Sequence, residues 1–170
     1  MASNPPAQCC ITAKLHEGEP VGKLSKIGES KLTLPLLRPR HTFPQLTIPS
    51  TADVYISEPS KKTTNVILVL PDVLGIWANS QLIADQFAAN GYLVILADLY
   101  HGDAIPVNPP GDKPFDFPAW LKSHPADRVQ PVVDEIVEYA RTTLGAKRVG
   151  AVGYCFGAKV FLQLTIHYFN

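Results

Sequence analysis

The chain is poor in cysteine, with three in 170 residues. That is too few for a disulfide framework, so a disulfide-stapled extracellular scaffold is excluded and a reducing cytoplasm is the expected compartment. Cys9 and Cys10 are adjacent and ill-placed to bridge each other. No C-x-x-C or H-x-x-x-H spacing accompanies them, so no metal site is expected. Charge of one sign is not in excess either. Fifteen Lys and Arg balance fifteen Asp and Glu, leaving no global field to attract nucleic acid or an anionic membrane. No apolar run approaches the roughly 18 residues of a spanning helix. The start lacks the charged-then-apolar pattern of a signal peptide. Proline, by contrast, is abundant, with sixteen residues gathered mainly at Pro35 to Pro49 and Pro106 to Pro125. Both stretches are expected to be irregular.

The first 52 residues read as an irregular N-terminal segment, polar and without a regular period up to Ser30. Within it, apolar residues such as Leu32, Leu36 and Phe43 are interrupted by prolines that prevent any regular element. From residue 53 to 170 the pattern is that of a domain. Val66 to Leu70 and Leu93 to Ala97 are continuous apolar runs suited to strands buried on both faces. Between them a helix is expected, capped by Asn79 or Ser80 and stopped by Gly91. Residues 98–126 form a long irregular excursion. Val129, Val132, Val133, Ile136, Val137, Ala140 and Leu144 then recur at helical spacing. Arg148 to Val152 reads as a third strand. Alternating strands and helices imply an α/β fold with a doubly wound parallel sheet. Ligands of such sheets bind beyond the carboxyl ends of the strands, where Asp72, Asp98 and Cys155 fall.

The third strand runs into Gly153-Tyr154-Cys155-Phe156-Gly157. This is the G-x-C-x-G form of a nucleophile elbow, a sharp strand-to-helix turn that exposes one side chain. Glycines on either side let strand and helix approach where a Cβ would clash. A thiol at a helix start is favoured as a thiolate by the dipole and unpaired N–H groups. A buried structural cysteine is the bland alternative.

Three blocks in order resemble the dienelactone hydrolase family of α/β-hydrolases. They are Leu70-Pro71-Asp72-Val73-Leu74-Gly75; then Gln81 to Tyr92 running on to Ala97-Asp98-Leu99-Tyr100-His101-Gly102-Asp103; and Val152 to Lys159. The resemblance spans roughly Asp53 to Lys159, and it implies that residues 29–52 are an insert. Members of the family usually pass from a Lys-Ile-Gly-like turn straight to a strand like Asp53-Val54-Tyr55-Ile56-Ser57. The resemblance also implies an α/β-hydrolase-like fold, of which this chain carries the N-terminal part, as a C-terminally truncated member. It also implies hydrolysis of a lactone or small carboxylic ester by a cysteine nucleophile, without cofactor. By match to the family, Cys155 is the nucleophile, and Val73 and Phe156 supply the oxyanion N–H groups. Gly153 and Gly157 frame the elbow. Asp72 stands where the family commonly has a glutamate partner for the thiol, one methylene longer. Gly102 stands where some members bind a substrate carboxylate with arginine, so anionic lactone specificity is not implied.

In this fold an Asp or Glu and then a His follow the nucleophile. After Cys155 fifteen residues remain, with no acid and one histidine, His167. It lies roughly 15 Å along the elbow helix by helical rise. The triad Asp and His are therefore expected to be missing and sustained turnover doubtful. His101 reads as a loop residue at the rim of the site, and His16, His41 and His124 carry no motif. Alternatives remain: a thioesterase or carboxylesterase on the same scaffold, a catalytically inactive binding protein, and, lacking a resolving cysteine, a thiol redox protein. The expected partner is a small ester or lactone, with no nucleic acid and no membrane.

Overall fold

The structure, a computed structural model, describes residues 14–27, 52–108 and 115–168. A five-stranded sheet of order β1-β2-β4-β3-β5 forms its centre, from β1 (Lys23–Ile27), β2 (Ala52–Ser57), β3 (Asn65–Leu70), β4 (Leu93–Ala97) and β5 (Arg148–Gly153). Four helices accompany it among the described residues: α1 (Ala78–Ala89), α2 (Phe117–Ser123), α3 (Ala126–Thr142) and α4 (Phe156–Tyr168).

The sheet is mixed, which corrects the expectation of a parallel one. β3 is parallel to β4 and to β5, whereas β2 is antiparallel to both β4 and β1. The physical reason lies in the connections. A helix returns the chain between β3 and β4, as parallel neighbours require. β2 passes to β3 through residues 58–64 without a helix, and β2 pairs with β4 rather than with β3. A second correction concerns residues 23–27, read as irregular. They form β1, whose Lys23, Leu24, Ser25 and Lys26 are all exposed. Backbone pairing to β2 holds this lysine-bearing edge, a strand type that leaves little hydrophobic signal. The expected insert at residues 29–52 lies outside the described residues, apart from Ala52 in β2.

The two sheet faces follow the period of two in the strands. Val66, Leu68, Leu70, Ile95 and Ala97 pack into a core with Val129, Val132, Val133, Ile136 and Ala140 of α3. Val69, Val94 and Leu96 point the other way, onto Ala84 and Ala88 of α1. The α3 residues are at most 1% exposed, so the apolar stripe legible in the sequence is the face that docks. Pro131 sits within α3 on its exposed side.

Helix α1 starts after Trp77 without a side-chain cap. Asn79, expected as a cap, instead accepts from the His16 N–H and donates to the Lys14 carbonyl, tying residues 14–16 to the helix. Gly91, at φ 94°, does end the helix, its N–H donating to the Ala88 carbonyl at 2.9 Å. Asp85 on the same helix accepts from Tyr55, Ser57 and the Val21 N–H, anchoring β2 and the entry to β1. The excursion of residues 98–126 contains α2, which the prolines disguised. Asp116 caps it, accepting from the Ala119 N–H at 3.0 Å, with Pro118 in its first turn.

Candidate functional site

The turn from β5 to α4 is built by close backbone packing. Tyr154 N–H donates to the Leu70 carbonyl at 3.0 Å and Gly157 N–H to the Pro71 carbonyl at 3.0 Å, fastening the turn to the end of β3. A Cβ on Gly153 would meet the Gly157 carbonyl and come within 2.7 Å of Ala158 N. A Cβ on Gly157 would meet the Leu70 carbonyl and come within 2.7 Å of the Pro71 oxygen. Between these glycines Cys155 takes φ 52°, a left-handed conformation uncommon for a residue with a Cβ. Its side chain is exposed, and its carbonyl accepts the Lys159 N–H at 3.4 Å, so it stands at the helix start. A thiol there feels the positive end of the α4 dipole.

The loop after β3 lies beside this turn. The Asp72 carboxylate accepts the Leu74 N–H at 2.9 Å, and the Asp72 carbonyl accepts the Gly75 N–H at 3.1 Å. Burial pushes the Asp72 carboxyl above its ordinary range. The Leu74 N–H pulls the other way, as does the Trp77 indole, which approaches without reaching hydrogen-bond geometry. Val73 is buried, and its carbonyl accepts the Ile105 N–H at 2.9 Å. The turn and loop bonds around Cys155 use the N–H groups of Tyr154, Gly157, Leu74 and Gly75, not those of Val73 and Phe156.

The loop after β4 forms a third wall. The buried Asp98 carboxylate accepts the Tyr100 N–H at 2.9 Å and the Gly102 N–H at 2.6 Å, folding the loop back on the strand end. Tyr100 is fully buried, and its hydroxyl donates to the Asp72 carbonyl at 2.8 Å. Burial drives its phenol far above the ordinary range, reinforced by the negative charges of Asp72, Cys155 and Asp98 around it. Tyr100 thus bonds to two of the strand-end groups named from the sequence, the Asp98 carboxylate and the Asp72 carbonyl. The Leu74 N–H holds the Asp72 carboxylate at the end of β3. His101, exposed at φ 52°, lies in the same loop.

Helix α2 closes this side with aromatic rings. Trp120 lies 5.0 Å from Tyr100 and 6.0 Å from Phe156 between ring centroids, and Tyr100 lies 5.4 Å from Phe156. Against them sits His124, 2% exposed and stacked on Trp120 at 4.2 Å. Its Nε2 lies 3.4 Å from the Asp103 carboxylate. The expectation that the triad Asp and His are missing is overturned by this couple. The hydrolase order places both residues after the nucleophile, whereas here both precede Cys155. His124 carries no motif in the sequence; the one signal is a histidine four residues after Trp120, at the end of an aromatic helix. His167 falls in α4, with its side chain outside the described residues, and His41 lies wholly outside them.

On the α1 side of the turn, Ile83, Gln86, Phe87, Asn90, Tyr92 and Tyr154 line an open groove of about 430 Å³. Among the described residues no group of His, Cys, Asp and Glu is placed to hold a metal ion, and no helix is long and apolar enough to cross a membrane.

Residues 52–168 match the model of the dienelactone hydrolase family. Hydrolase pyvD of Aspergillus violaceofuscus is 42% identical over 165 residues, covering 96% of this chain and 58% of that protein. Hydrolase tropI of Talaromyces stipitatus is 37% identical over 176 residues, covering 98% of this chain and 60% of that protein. The chain therefore spans about three fifths of the length of these relatives. A solved structure from Klebsiella pneumoniae, named for dienelactone hydrolase, superposes with a TM-score of 0.61 at 18% identity, covering 86% of this chain and 55% of that one. That likeness establishes an α/β-hydrolase-like fold. With a family model matched over most of its length and close relatives in sequence, the chain belongs to the dienelactone hydrolase family.

Proposed function

We propose that this protein hydrolyses a lactone or small carboxylic ester through a thioester on Cys155. The observation that carries the reading is the left-handed backbone at Cys155, which presents an exposed thiol at a helix start beside the ends of β3 and β4. The Cys155 thiolate attacks the ester carbonyl carbon, forming a C–S bond and placing negative charge on the carbonyl oxygen. The Val73 and Phe156 N–H groups receive that charge, being uncommitted to the bonds that hold the turn. As the intermediate collapses, the C–O bond breaks and the alkoxide leaves with the electron pair, taking up a proton. Water then attacks the thioester, releasing the carboxylic acid and restoring the thiol. Gly153 and Gly157 serve as the elbow glycines. Asp72 stands as the partner of the thiol, with its neutral form favoured by burial. The substrate is a small molecule, and none of these steps needs a metal or cofactor.

The test is acylation by p-nitrophenyl acetate, followed by release of p-nitrophenolate and peptide mass spectrometry. The reading expects an acetyl group on Cys155, and loss of both adduct and ester cleavage in Cys155→Ala. Unchanged ester cleavage in Cys155→Ala would refute it.

A further inference from the structure

Two loops and α2 meet behind Val73 and Phe156, and one imidazole–carboxylate couple ties them together. Ser123 Oγ donates to the Trp120 carbonyl at 2.8 Å. His124 Nδ1 lies 2.9 Å from that same carbonyl and 3.1 Å from Ser123 Oγ. The serine proton is directed at the carbonyl, so Nδ1 faces two acceptors and carries its own hydrogen. Nε2 is then left toward Asp103 Oδ2 at 3.4 Å, with no hydrogen-bond partner of its own among the described residues. The contact sets the imidazole edge against the carboxylate and joins the end of α2 to the loop after β4.

Asp103 is itself a junction. Its N–H donates to the Tyr100 carbonyl at 3.0 Å, and its carbonyl accepts the Trp120 indole N–H at 2.8 Å. From this junction the loop reaches both expected oxyanion donors. Ile105 N–H holds the Val73 carbonyl at 2.9 Å, and the Tyr100 hydroxyl holds the Asp72 carbonyl, whose peptide carries the Val73 N–H. The Tyr100 and Trp120 rings abut Phe156. A shift of the couple is therefore passed to both N–H groups through four hydrogen bonds and two ring contacts.

We propose that His124 and Asp103 are positioning residues for the oxyanion donors, clasping α2 to the loop after β4 so that the Val73 and Phe156 N–H groups converge on one oxygen. The proposal rests on the reading of Cys155 as the acylated nucleophile. Neither residue touches substrate. Asp103 is 68% exposed at its side chain, so the pair adds little to global stability, and its effect is local geometry.

The experiment compares two reactions of the same thiol in the full chain. Acylation by p-nitrophenyl acetate passes through an oxyanion, whereas alkylation by iodoacetamide does not. Rates are measured for wild type, Asp103→Asn, Asp103→Glu, His124→Gln and the double variant Asp103→Asn with His124→Gln, with adduct position from peptide mass spectrometry and stability from urea unfolding. Asp103→Asn changes an exposed side chain and carries the test alone if His124→Gln does not fold. A misplaced donor costs less than a deleted one, so acylation should fall about tenfold in Asp103→Asn with alkylation unchanged. The couple acts as a unit, so the double variant should be no slower than the slower single one. Asp103→Glu should recover part of the loss. Parallel losses in both reactions, or unchanged acylation in folded Asp103→Asn, would overturn the proposal while leaving the nucleophile in place. Wild-type adducts on residues other than Cys155 would instead overturn the parent reading, and this one with it.

Discussion

Replacing Gly157 by alanine adds one methyl group at the tightest backbone contact described here. In an ordinary helix this change gains about 1 kcal/mol in propensity. At Gly157 the new Cβ would meet the Leu70 carbonyl oxygen and lie 2.7 Å from the Pro71 oxygen. Both are backbone atoms at the end of a buried strand and have no rotamer to escape into. The start of α4 must move outward. That strains the bonds from Gly157 N–H to Pro71 and from Tyr154 N–H to Leu70, each 3.0 Å. Two weakened hydrogen bonds at about 1 kcal/mol each and about 1–3 kcal/mol of overpacking outweigh the propensity gain. The net expectation is a destabilisation of about 2–4 kcal/mol. Gly150→Ala is the control, since a Cβ there meets nothing within 4 Å. Urea unfolding of the three proteins, followed by circular dichroism, reads the midpoints. A Gly157→Ala midpoint equal to that of Gly150→Ala would refute the close approach of β3 and α4, and with it the geometry assigned to the turn.

Three further outcomes follow from the same contacts. Cys155→Ala should lower the rate of activated-ester acylation by at least about 10³-fold, read by stopped-flow absorbance, because the nucleophile is removed rather than misplaced. Asp72 titrates above its ordinary value of 3.8 in the folded state, so between that value and its raised one the folded chain binds more protons than the unfolded chain. Its contribution to stability therefore falls as pH rises through that window and stays low above it. Asp72→Asn, which can still accept the Leu74 N–H, should flatten this slope in urea midpoints taken across the acid range. Ile136→Ala should cost about 2–5 kcal/mol in the same assay, because the side chain is 1% exposed in the α3 core and its removal leaves a cavity.

The central part of the fold was legible because its signals are hydrophobic. β3 and β4 are apolar on both faces, and α3 shows its docking stripe at helical spacing. The two antiparallel strands were harder. Leu24 and its neighbours in β1 are exposed, so pairing with β2 rather than burial makes them a strand. Strand–helix alternation begins only at β3, so it says nothing of the direction of β2, which is antiparallel to β4. Helix α2 was hidden by its prolines, although Asp116-Phe117-Pro118 is a helix-start signature. Around the turn, the glycines and the helix-start cysteine were readable from spacing. His124 and Asp103 were not, since their meeting depends on how the loop after β4 folds over α2. Periodicity does not encode that path.

The pairing of β3 with β5 also has a consequence in time. Arg148 Nε reaches the Asn65 side chain across 83 residues of sequence, and the two strands align along their whole length. The peptide of Val73 and the thiol of Cys155 thus become neighbours only when that large loop closes. Loop entropy opposes such closure until long-range contacts reward it, so this pairing forms slowly compared with α1 or α3. On a ribosome, β3, α1 and β4 emerge and can associate well before β5 is made. The turn that carries Cys155 is consequently the last part of the sheet to take shape, and its thiol remains a side chain of unstructured chain until then.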